Sequence, residues 1–148
     1  MTNIVYISDK LKYCFPSTYF RLTKLFDEMK IEWKEIKGTK DIWIRDYMPI
    51  QIDNEKYLVY RYNPDYLQET GTKYLTDSYV IYKKVLPLSY CRETKITLDG
   101  GNFVTSAKHR FLTDKVFKEN GNPLYDPDFC TYLKEVLGSD IIFLPGHC

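Results

Sequence analysis

The sequence predicts an α/β fold on three observations. Apolar runs of strand length alternate along the 148 residues with segments of helical periodicity. Two successive units share one order of elements: strand, helix, strand with a carboxylate at its end, then hairpin. Those carboxylates are Asp46 and Asp99. The last helix carries start and stop signals together, with Asp126 and Pro127 at its head and Gly138 beyond its end.

Taken in order, Asn3 to Ile7 is a short, mostly apolar strand. Ser17 is placed to cap a helix whose Leu22, Leu25, Phe26 and Met29 recur at helical spacing. Glu32 to Ile36 alternates as a second strand, punctuated by Gly38. After Pro49, Ile50-Gln51-Ile52 runs into the turn pair Asp53-Asn54, and Tyr57-Leu58-Val59-Tyr60 returns as its hairpin partner. Asn63-Pro64-Asp65 opens a polar loop to about Thr76, long enough to read either as a binding segment or as disorder. Thr76 and Asp77 can cap a helix through about Leu86, while Tyr79-Val80-Ile81-Tyr82 leaves a strand open. Lys95 to Leu98 is a strand, and Phe103–Thr105 with Arg110–Thr113 a hairpin around residues 106–109. Asn120-Gly121-Asn122-Pro123 is loop. The last helix should bury Phe129, Tyr132, Leu133, Val136 and Leu137, and Ile141 to Leu144 reads as a strand buried on both faces.

A chain of 148 residues with 44% hydrophobic content can bury one core, so residues 1–148 are one domain or part of one. Twenty-one basic residues against 20 acidic ones argue against a nucleic-acid or membrane surface. No apolar run reaches membrane-spanning length, and the N-terminus lacks the pattern of a signal peptide. Cys14, Cys91, Cys130 and Cys148 are dispersed, which predicts reduced thiols and a cytoplasmic location rather than a zinc site or disulfide framework. The first three are expected to be small buried hydrophobes. Lys83-Lys84 and the Lys115/Lys118 pair are expected on solvated faces, and His109 in a solvated turn.

Chemistry concentrates in two stretches. In Asp41-Ile42-Trp43-Ile44-Arg45-Asp46-Tyr47-Met48-Pro49, Trp43 and Asp46 offer an aromatic face beside a carboxylate. That pairing suits a flat cation, which stacks on the ring and forks onto the acid. The other reading is a strand end with Trp43 in the core and an Arg45–Asp46 surface pair. In Leu98-Asp99-Gly100-Gly101-Asn102 a carboxylate again stands at a strand end, before two glycines that permit close backbone approach or positive φ.

Trp43-Ile44-Arg45-Asp46, Leu98-Asp99-Gly100-Gly101-Asn102 and Leu112-Thr113-Asp114-Lys115-Val116-Phe117 together resemble the agmatine deiminase and Porphyromonas-type peptidylarginine deiminase family. The resemblance covers most of the chain but only the N-terminal part of the family's domain. It implies the pentein fold, in which five ββαβ-type modules surround a pseudo-five-fold axis. This chain would supply about two modules and the start of a third, leaving open edges, notably Ile141 to Leu144, prone to self-association.

The implied activity is hydrolysis of a guanidino group, in a small molecule or an arginyl peptide, to a ureido product and ammonia. It needs no metal or cofactor. A guanidinium carbon is a poor electrophile, so attack requires a thiolate and a His to protonate the departing ammonia. Two carboxylates hold the guanidinium planar; by motif match these are Asp46 and Asp99, with Trp43 walling the site and Asn102 fixing the turn or a polar group of the substrate. Members commonly carry Glu where Asp99 stands, and the shorter side chain draws the carboxylate back by roughly 1.5 Å. Asp114 matches a family motif and is expected to cap a helix. The family's Gly-His-x-Asp motif and its late nucleophilic Cys are not found in these 148 residues. Gly146-His147-Cys148 falls too early for the catalytic His, and Cys148 is not expected to be the nucleophile. The alternative is a catalytically inactive module that binds guanidinium or arginine.

Overall fold

A computed structural model describes residues 4–68, 71–106, 108–138 and 140–146. The chain forms three small sheets. Strand β1 (Val5–Ser8) pairs in parallel with β2 (Trp33–Ile36). The helices α1 (Asp9–Cys14) and α2 (Pro16–Glu28) connect them. After the short helix α3 (Ile44–Tyr47), strands β3 (Ile50–Asp53) and β4 (Lys56–Arg61) form the expected hairpin. The segment after it folds into a turn of helix, α4 (Asp65–Gln68), and then α5 (Ser78–Val85) leads to β5 (Cys91–Thr97), parallel to β4. A tight turn, Gly100–Asn102, precedes the hairpin β6 (Phe103–Thr105) and β7 (Arg110–Thr113). Helices α6 (Lys115–Glu119) and α7 (Pro127–Leu137) follow, and β8 (Ile141–Leu144) closes the third sheet parallel to β7.

Each hairpin therefore pairs forward, with the strand after its own helix. The order is one βαβ unit followed by two ββαβ units, and the short unit is the first. Shared apolar faces join the units into one core, in which Tyr60, Ile81, Phe103, Leu112, Phe117 and Leu133 are almost fully buried. No helix among the described residues is long and apolar enough to cross a membrane.

Local capping decided several elements. Asp77 accepts hydrogen bonds from the N–H groups of Tyr79 and Val80, so residues 79–82 are helix rather than strand. Asp126 accepts from Phe129, and Gly138 ends α7 at φ 74°. Other expectations are corrected. Helix α2 starts at Pro16, with Ser17 inside it rather than capping it. Its apolar face is largely open: Leu25 and Met29 are exposed, and Thr23 is the buried residue of α2. Tyr132 lies at the surface rather than in the α7 stripe, and β8 presents Ile142 and Leu144 outward, so this strand is buried on one face. Cys14 is exposed, while Cys91 and Cys130 are half-buried.

The loop reading of Asn120 understates it. Its side-chain amide accepts from Thr97 N–H (2.8 Å) and donates to the carbonyls of Thr97 (2.8 Å) and Val116 (2.8 Å), extending the β5 ladder with a side chain. Asn120→Ala strands both backbone groups of Thr97, and chemical denaturation is expected to show a loss of about 2 kcal/mol.

Candidate functional site

Asp46 and Asp99 occupy equivalent places: each stands four residues before the first strand of a hairpin, Ile50 of β3 and Phe103 of β6. Two features bring these stretches together. Arg45 reaches across, its Nε donating to Gly100 O (3.2 Å) and its Nη2 to Phe103 O (2.7 Å). Its guanidinium thus bridges the two segments through backbone, instead of making the surface pair with Asp46. Below it the buried Tyr60 hydroxyl lies 2.7 Å from Asp46 O and 3.0 Å from Met48 O, sharing its proton between them.

The double glycine makes this approach fit. A Cβ on Gly100 would lie 2.1 Å from Arg45 O and 2.5 Å from the Tyr60 hydroxyl. A Cβ on Gly101 would meet Asp46 Oδ1 at 2.8 Å and Asp99 Oδ1 at 3.2 Å. Neither glycine has positive φ, so close approach, between two protein segments, is what requires them. The two carboxylates consequently converge on one point above Gly101. Asp99 is 8% exposed and accepts from Gly101 N–H (2.9 Å), and Asn102 donates its own N–H to Asp99 O (2.9 Å). Asn102 thus holds the turn through its backbone.

Electrostatically this site is unsaturated. Burial, the Asp99 charge, a hydrogen bond to Asp99 and the Asp41 charge push Asp46 up to about 7, against a backbone N–H from Gly101. Below neutrality Asp46 therefore keeps its proton beside the Asp99 side chain, as an acid crowded by another in a partly dry site does. Asp41 is a third acid that the sequence reading did not single out. Burial and the Asp99 charge raise it, although its Oδ1 accepts from Trp43 N–H at 2.6 Å.

Asp41 and Asp46 line an open cleft of about 490 Å³ with Trp43, Tyr66, Leu67 and Tyr74, while the buried Asp99 lies outside that lining. Trp43 is 66% exposed and forms a wall of this cleft rather than part of the core. Tyr66 and Tyr74 face it from the segment after β4, and their spacing in sequence gave no sign of this. A larger groove, about 720 Å³, lies away from these acids, and its Lys56 and Arg92 are already paired with Asp53 and Glu135.

The remaining sequence candidates fall elsewhere. His109 is in the exposed turn between β6 and β7, its ring edge-on to Phe111. Asp114 makes no side-chain capping bond to α6; its Oδ1 accepts from Gly146 N–H at 2.7 Å. Lys115 is no solvated lysine but is ion-paired with Asp65 and Glu119. Burial pushes the Cys91 and Cys130 thiols up, away from thiolate character. His147 and Cys148 lie outside the described residues.

No family model matches the chain, and no curated protein matches it. Solved structures do. C. jejuni agmatine deiminase aligns over 99% of this chain and 54% of its own, with TM-score 0.63 and 19% identity. A protein provisionally named a peptidyl-arginine deiminase aligns over 97% of this chain and 54% of its own, with TM-score 0.63 and 16% identity. One provisionally named an agmatine deiminase aligns over 96% and 40%, with TM-score 0.57 and 17% identity. The chain spans about half the length of these structures or less, and over that span it has their mixed α/β fold of small sheets.

Proposed function

We propose that the chain forms the guanidinium clamp of a cytoplasmic, pentein-type guanidino deiminase acting on agmatine or on arginyl groups. The observation that carries this reading is the convergence of Asp46 and Asp99 on one point beneath an aromatic-walled cleft. Two facing carboxylates short of a counter-charge are relieved by a planar cation that donates a fork of N–H groups to them, and Trp43 supplies a ring for its face. Binding so holds the guanidinium planar and fixes its central carbon for attack.

The full reaction joins a thiolate to that carbon, expels ammonia protonated by an imidazole, and hydrolyses the resulting thiouronium to a ureido group. The described residues offer no thiolate or imidazole at the cleft. Cys14 is exposed on α1, and Cys91 and His109 lie outside the cleft lining. An inactive guanidinium-binding module is the second reading, favoured by Asp99 standing where the family commonly has Glu.

Calorimetric titration with agmatine at pH 8 tests the clamp. Saturable binding to the protein is expected, and heats no larger than those for putrescine, which lacks the guanidinium, would overturn the proposal. Assay of ammonia and ureido product separates the two readings, and these 148 residues are expected to release neither from agmatine, arginine or arginyl peptides.

A further inference from the structure

Lys115 lies at the side of the cleft with a set of contacts that the clamp itself does not require. Its Nζ sits 2.8 Å from Asp65 Oδ1 and 3.2 Å from Glu119 Oε1, and 5.6 Å from the centre of the Tyr66 ring. The side chain of Lys115 is 27% exposed, that of Glu119 5% and that of Asp65 49%, so the lysine is held between a buried acid on α6 and a half-exposed one at the head of α4. Its hydrogen bond to Asp65 holds that carboxylate below the usual range, and burial raises Glu119 despite the nearby Lys115 charge. Asp65 and Tyr66 are the first residues of α4, and Tyr66 lines the cleft beside Trp43 and Asp46.

From Tyr66 the contacts run on to the acids. Its hydroxyl lies 3.2 Å from that of Tyr62, whose ring is 5.9 Å from Tyr47; the Tyr47 hydroxyl in turn donates to Asp41 O at 3.1 Å. Asp41 is the residue whose carboxylate holds the Trp43 N–H. One cation therefore anchors a continuous set of contacts that runs from Tyr66 to Trp43, two of the three aromatic residues lining the cleft.

We infer that Lys115 is a positioning residue: through Asp65 and the Tyr66 ring it pins α4 from α6, setting the Tyr66 wall against Trp43 so that a planar cation is gripped between them. The inference rests on the guanidinium-clamp reading for its ligand, but its mechanical half does not. An ion pair alone would stabilise the fold without altering affinity. A pin on a wall changes affinity as well, because a freed Tyr66 must be ordered again each time a cation is stacked against it.

The test is hydrogen exchange of the 66–68 amides together with agmatine titration of Lys115→Ala, Lys115→Arg and Asp65→Asn. Lys115→Ala is expected to speed exchange at 66–68 and weaken agmatine binding about five- to twentyfold. Asp65→Asn should do the same without adding to the lysine variant, because both remove one contact. Lys115→Arg, which keeps both the charge and the reach, should restore most of the affinity. Unchanged exchange at 66–68 in Lys115→Ala overturns the pin whatever the ligand does. Faster exchange with unchanged affinity makes Lys115 a structural residue only and also overturns it. If the wild-type protein binds no agmatine, the clamp reading falls and with it the affinity half of the inference, a result distinguished from the other two by the wild-type titration alone.

Discussion

Gly100→Ala is expected to lower the unfolding midpoint by about 10 °C or to leave the protein insoluble, whereas Gly101→Ala folds and loses its ligand. The two neighbouring glycines face different things. At Gly100 the added methyl would sit 2.1 Å from a backbone oxygen of α3, which no side-chain rotation can relieve. Either α3 or the turn must move, and Arg45 and the Tyr60 hydroxyl, which tie them together, must give up their bonds. Overpacking of that kind costs about 3 kcal/mol or more, with each kcal/mol worth roughly 2–4 °C in a domain of this size. At Gly101 the methyl meets carboxylate oxygens at 2.8 and 3.2 Å, the ends of side chains that can turn aside. Displacing them costs little stability, about 1 kcal/mol. It removes the common point on which Asp46 and Asp99 converge, so agmatine affinity should fall at least about thirtyfold. Thermal melts and titrations of the two variants decide this, and a destabilised Gly101→Ala beside a normal Gly100→Ala would contradict the packing described.

The second large effect is on pH. With Asp46 at about 7, the free site carries a proton below neutrality that a bound cation must expel. Cation binding favours the ionised form, so affinity for agmatine should rise with pH by up to about tenfold per unit below 7 and level off above 8. Stability runs the other way. The folded carboxyl holds its proton more tightly than the usual carboxylate, so Asp46 contributes stability in full below pH 4 or so and loses it as pH rises through about 7. Because the group is partly solvated, that loss is about 1–2 kcal/mol rather than the full equivalent of the shift. Asp46→Asn should therefore be more stable than wild type at pH 8, show a flat stability profile from pH 5 to 8, and bind agmatine weakly at every pH. Asp99→Asn should bind as weakly but relieve Asp46, so that its remaining pH dependence moves to lower pH. A wild-type protein whose affinity is level between pH 6 and 8 would mean that Asp46 does not keep its proton below neutrality. This arrangement, stability given up where a cation is to be received, is common at binding sites.

Much of the fold was legible because it is set by neighbours in sequence. Asp77 and Asp126 reach N–H groups two or three residues on, Gly138 supplies the left-handed residue after α7, and the first hairpin turns one residue later than the expected Asp53-Asn54, at Asn54-Glu55, with Asp53 ending β3. The pairing of acid and aromatic in residues 43–46, and of acid and glycines in 99–101, was legible in the same way. The loop from residue 63 was less so, since α4 takes its place partly from Lys115, fifty residues after Asp65. Asn120 read as loop for the same reason, its partners being the backbone of Thr97.

What the sequence by itself determined, then, is the alternation of most strands with the long helices, the caps that end or start α5 and α7, and that two aspartates stand at matching places before two hairpins. Only the tertiary structure decided that those aspartates face one another, that Trp43 is a wall rather than core, and that Lys115 is held between two acids. The physical reason is range. Caps, turns and periodicity act over a few residues and are written in adjacent letters. The site is made by backbone-to-backbone approach between segments 55 residues apart, where Arg45 meets Gly100, and such an approach is fixed by how whole faces bury against each other.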